Sequence, residues 1–179
     1  MEIALGEEMV VALGRFVTEV GEVENVMFET ILAVSAEEDT NDIHRSFYRE
    51  TFGPKVKMLE ERIKHDAFDE HRKGVDYLVL MLKKLTSQRN NIIHAETFHI
   101  SRRGESKVFR VGFTRQNLTP WKDFDFKGNA ANIFTADQIE DVIVDCIAIK
   151  TDLDLIRQKV IKKLTGHQPP YLTHTFELG

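Results

Sequence analysis

The run Arg89-Asn90-Asn91-Ile92-Ile93-His94 gathers the residue types that can cleave a phosphodiester without a metal. A guanidinium binds two phosphate oxygens at once and stays cationic at any physiological pH. An imidazole takes and gives protons near neutrality. Such a base helps a ribose 2′-hydroxyl attack the adjacent phosphate, the cation stabilises the growing negative charge, and an acid protonates the leaving 5′-oxygen. The Asn90 amide can orient the imidazole or the phosphate. At about 100° per residue, Asn90 and His94 share one face of a helix, whereas Arg89 lies about 140° from His94. A single helix end therefore cannot aim both at one small group. Two copies meeting across a two-fold axis can, lining one cleft with an Arg and a His from each chain. The plainer alternative is that Arg89 pairs with an acid of the first helix, Glu22 or Glu24. His94 would then merely close its own helix, where a cation suits the dipole.

Charge distribution favours an anionic partner for this region. The 179-residue chain has a net charge of −5, and residues 1–50 hold 12 acids against 3 bases. Residues 83–115 reverse the balance, with 8 bases and 2 acids. Lys83, Lys84, Arg102 and Arg103 would add sequence-independent attraction for a nucleic-acid backbone. The acidic total argues against indiscriminate nucleic-acid binding. Cys146, the only cysteine, excludes an internal disulfide and any Cys-rich zinc site, and its apolar neighbours predict a buried thiol. No glycine-rich phosphate loop is present, and His65 and His71 lie six apart without the carboxylate pattern of a zinc enzyme. We therefore expect no metal and no cofactor. No apolar run approaches the roughly 18 residues that span a bilayer, and the acidic N-terminus is unlike a secretory signal, so a cytoplasmic location without membrane contact is expected.

The elements that would hold these residues are mostly helical. Apolar residues recur at three- and four-residue steps over 6–36, predicting one long helix whose Gly14 and Gly21 suggest close packing against a neighbour. A polar loop at 37–42 leads to a second helix over about 42–52. Gly53-Pro54 then breaks the chain, and Pro54 is well placed to open a third helix reaching about His65. The most hydrophobic helix follows, with Val75, Leu78, Val79, Leu82 and Leu85 leading into Arg89. The period then shortens to two over 97–113, which reads as a β-hairpin. After an irregular aromatic stretch at 116–134, Thr135-Ala136-Asp137-Gln138 has the spacing of a capping box opening a last helix over about 136–164. The expected fold is all-α: an antiparallel bundle of four to five helices with a β-hairpin inserted before the last long helix. It forms one domain over 1–165, followed by a tail at 166–179.

The segment Arg89 to His94 resembles the motif of the HEPN superfamily, which is Arg, a polar residue, several further positions, then His. The long first helix with Gly21-Glu22-Val23-Glu24-Asn25, and the Leu-rich helix leading into Arg89, are also similar to that family. The resemblance spans about residues 6–160, but only the motif is sharp. It implies a metal-independent endoribonuclease whose composite active site lies at a homodimer interface. Arg89 and His94 match the catalytic pair, Asn90 the polar position, and Glu24 a supporting acid of the first helix. It also implies RNA or a nucleotide as ligand, and an antitoxin or nucleotidyltransferase as partner. The alternative it carries is a non-catalytic module that binds nucleotide, RNA or protein. The hairpin and the aromatic loop at 116–134 depart from the family's minimal bundle.

Overall fold

The computed structural model describes residues 6–35, 38–102, 105–111 and 133–166, with the backbone alone for 96–102, 105–111 and 133. The molecule is a helical bundle, with five α-helices among the described residues: α1 (Glu7–Ala33), α2 (Thr40–Arg49), α3 (Phe52–Arg62), α4 (Arg72–Ile93) and α5 (Ala136–Thr165). The expected aromatic loop, the tail beyond Gly166 and the position of Arg103 fall outside the described residues.

Helix α1 forms because Met9, Ala12, Phe16, Val20, Val23, Met27 and Ile31 fall on one face, and all of them are buried. Glu7 and Glu8 occupy its first turn, where carboxylates suit the positive end of the helix dipole. The close approach expected at its glycines does not occur. A Cβ added at Gly14 or Gly21 would meet nothing within 4 Å. These positions carry only the entropic weakness of glycine, so Gly14→Ala and Gly21→Ala should each stabilise the fold by about 0.5–1 kcal/mol in urea titrations. A loss of stability would mean that another chain packs there.

Asp39 caps α2 by accepting a hydrogen bond from the Asn41 N–H at 2.8 Å. The break expected at Gly53-Pro54 falls earlier, at Glu50–Thr51, and α3 begins at Phe52. Pro54 sits inside the first turn rather than opening it. Proline is tolerated there because the N–H it lacks would have no partner within the helix. Its entry turn matters for the core, since Phe52 is 2% exposed. A 3-10 turn at Asp66–His71, which hydrophobic spacing did not announce, is capped by His65 Nδ1 accepting from the Ala67 N–H at 3.1 Å.

Successive helices alternate in direction, so with five of them the first and the last run the same way. Helices α1 and α5 run side by side in the same direction, stitched in order by Arg15–Glu140, Glu19–Lys150 and Glu29–Arg157. The short α2 explains this: it folds back along α1, with Tyr48 at Asn25 and His44 against Phe28, and so returns the chain for α3. Helix α4 runs against α5, with Gly74 beside Ile156, Lys84 bonded to Asp145 and Glu70 to Lys163. Between α4 and α5 the backbone forms β1 (Glu96–Arg102) and β2 (Glu105–Val111), paired antiparallel with Glu96 opposite Val111 and Arg102 opposite Glu105. A short β3 (Ile133–Phe134) joins β2. Thr135 then opens α5 through a complete capping box: its hydroxyl accepts from the Gln138 N–H, and its own N–H donates to Gln138 Oε1. Gly166 ends α5 at φ 71°, a left-handed turn in which glycine has no steric cost.

Candidate functional site

Helix α4 is anchored by Val75, Leu78, Val79, Leu82, Leu85 and Ile92, so its last turn stands at a fixed place on the bundle. Ile92 is 0% exposed and Ala95 is buried, which clamps the chain on both sides of His94. His94 is the C-cap, and its backbone N–H donates to the Asn90 carbonyl at 3.1 Å. The Asn90 and His94 side chains are both exposed, as a shared face requires, while Arg89 is half-buried. Its guanidinium nevertheless reaches its neighbour, with Arg89 Nη1 donating to Asn90 Oδ1 at 3.2 Å. Asn90 thus touches Arg89 through its side chain and His94 through its backbone. One cation, one amide and one imidazole are held at a single helix end.

The acid pairing that would make Arg89 purely structural is not seen among the described residues. Glu24 is taken by Lys55 of α3, whose Nζ lies 2.6 Å from Glu24 Oε2. Glu24 therefore serves a contact between α1 and α3, and nothing brings it to the α4 end. Next to the motif, Gln88 Oε1 is buried without a hydrogen-bond partner among the described residues. An acceptor left unpaired in the interior costs about 1–3 kcal/mol. Sequence spacing gave no sign of Gln88. A polar side chain one residue ahead of the motif, on a helix otherwise apolar on its inner face, was the available hint.

The supporting cations are dispersed. Lys83 Nζ lies 2.8 Å from Glu60 on α3, and Lys84 Nζ lies 3.0 Å from Asp145 on α5. Both pairs are solvent-exposed, and such pairs contribute about 0–1 kcal/mol, little enough for a phosphate to displace the carboxylate. Arg102 ends β1. At about 3.3 Å per residue, that strand carries it roughly 20 Å from Glu96 and the α4 end. Lys83, Lys84 and the backbone at Arg102 are therefore not gathered around His94.

The one cysteine stands apart. Cys146 is buried on α5, where loss of hydration, then the Glu19 and Asp145 carboxylates, push its thiol up to about 12. No group of three or more His, Cys, Asp or Glu among the described residues is arranged to hold a metal ion. No helix among them is long and apolar enough to cross a membrane. No family model, curated protein or solved structure matches this chain.

Proposed function

We propose that the chain is a metal-independent endoribonuclease of the HEPN type, acting in the cytoplasm as a homodimer that pools two α4 ends. The observation that carries this reading is Arg89, a guanidinium with no carboxylate partner among the described residues, bonded to Asn90 one helical turn from an exposed His94. In the pooled cleft, His94 of one chain takes the proton from a ribose 2′-hydroxyl. The 2′-oxygen forms a bond to the adjacent phosphorus, and the bond from phosphorus to the 5′-oxygen breaks. The partner's His94 gives the leaving oxygen its proton. The products are a 2′,3′-cyclic phosphate and a free 5′-hydroxyl, so atoms and protons balance without a cofactor. Arg89 from each chain holds the non-bridging oxygens and the charge that builds on them. Asn90 keeps Arg89 directed at the cleft, and Lys83, Lys84, Arg102 and Arg103 draw in more distant parts of the strand. The hairpin before α5 would border the approach of RNA. An antitoxin or nucleotidyltransferase would act by covering this end of the bundle.

The substrate's own 2′-hydroxyl supplies the sharpest test. RNA should be cut with EDTA present, leaving cyclic phosphate ends. A single 2′-deoxy nucleotide at the cleavage site should abolish the cut there. Cleavage of the deoxy-substituted strand, or loss of all cleavage in EDTA, would sink the mechanism.

A further inference from the structure

Helix α5 is held on one flank by α1 and on the other by α4, and its outward positions from Asp137 to Lys162 recur at steps of three, four and four residues. That spacing keeps them on one continuous face of the helix. The stripe is acidic at its start, with Asp137 and Glu140, and basic at its end, with Lys159 and Lys162. Its middle is apolar and open, with Val144 64% and Leu155 49% exposed.

We propose that α5 is a contact between two copies of this chain, paired antiparallel about a two-fold axis that crosses the helix near Lys150. One register satisfies every position. Val144 meets the partner's Leu155, Asp137 meets the partner's Lys162, and Glu140, which keeps Arg15 of its own chain on one oxygen, meets the partner's Lys159 with the other. Ala148 meets the partner's Thr151 beside the axis, where small side chains let the helices come close. A parallel pairing would set acid against acid and base against base. The reversal of charge along one helix is therefore what selects a second copy as the occupant, and its direction.

This contact goes beyond the pooled cleft and is distinct from it. Because α4 runs against α5, His94 lies level with the start of α5, about 14 residues or roughly 20 Å from the axis. An α5 pair holds its two His94 residues roughly 40 Å apart along the helix direction by the same measure. The two contacts used together would join dimers into a closed tetramer or a chain.

Charge reversal in trans tests the proposal. Lys159→Glu with Lys162→Glu, and separately Asp137→Lys with Glu140→Lys, should each lower the mass measured by sedimentation, to half where the assembly is closed. An equimolar mixture should recover the full mass, since every facing pair is again opposite in sign; that recovery also shows both variants are folded. Mild oxidation should cross-link a mixture of Val144→Cys and Leu155→Cys chains, and neither variant with itself, because each lies about 16 Å along the pair from its own copy. A mass unchanged by either reversal, a mixture that fails to recover, or self-cross-linking of Val144→Cys alone would overturn the proposal. RNA cleavage is a separate readout, so failure of the nuclease reading leaves this result standing.

Discussion

His94→Ala is expected to slow RNA cleavage by about 10²- to 10⁴-fold, the usual contribution of a general acid–base group, with no change in the thermal melt. The two halves of that expectation have separate grounds. The imidazole is exposed, so its removal opens no cavity. The contact that ends α4 is made by the backbone N–H of residue 94 to the Asn90 carbonyl, and alanine keeps it. Arg89→Lys provides the matching control, because it retains the positive charge but loses the planar fork that engages two phosphate oxygens. Its cleavage should fall while the salt dependence of RNA binding stays close to that of the parent chain. Equal turnover by wild type and His94→Ala in EDTA would assign the activity to another protein in the sample. A loss of binding in Arg89→Ala, with no turnover at any stage, would favour the non-catalytic module instead.

Glu24→Ala should be among the most destabilising single changes in the molecule, by about 3–5 kcal/mol, because it strands a buried ammonium. Lys55 is 5% exposed, and its Nζ is held 2.6 Å from Glu24 with the rings of Phe47 and Tyr48 at 5.1 and 5.4 Å. The rings offset part of the desolvation, yet their attraction of about 0.5–2 kcal/mol cannot replace a carboxylate. Removing both charges with Glu24→Leu and Lys55→Met should recover most of the loss, since apolar side chains of similar size are often at least as stable in such a place. Urea titrations of the two variants decide the matter. A single variant as stable as its parent would mean that Lys55 reaches water. The same pair separates the two roles considered for Glu24. If it supported the reaction instead, cleavage would fall in a chain that still melts normally.

The helices were legible because their inward stripes are long and regular. Met9 through Ile31 and Ile139 through Val160 mark one face of α1 and of α5, and burial follows that spacing. The capping box at Thr135 was equally plain, since its two hydrogen bonds involve residues only three apart. Errors arose where local signals competed. Gly53-Pro54 reads as a break, but Phe52 has a place in the core, and its burial extends α3 backwards past the proline. Gly14 and Gly21 read as packing sites because sequence cannot distinguish a glycine that admits a neighbour from one that faces open space. That α1 and α5 lie side by side was beyond local reading, because it depends on α2 doubling back through rings at Phe28, His44 and Tyr48. At the candidate site, helical spacing puts Asn90 and His94 on one face, and both are exposed. The partners of Glu24, Lys83 and Lys84 required the tertiary fold, because each bridges helices far apart in sequence.

Cys146 gives this bundle a native stopwatch. Only a thiolate reacts quickly with alkylating reagents, and this sulfur is shut in at the seam of three helices and kept protonated at any ordinary pH. Modification must therefore wait for α5 to part from its neighbours. The rate at which label accumulates counts those excursions in the unaltered molecule, with no reporter group introduced. Whatever clamps the helices shut, whether nucleic acid, a second subunit or an inhibitory protein, should slow the clock.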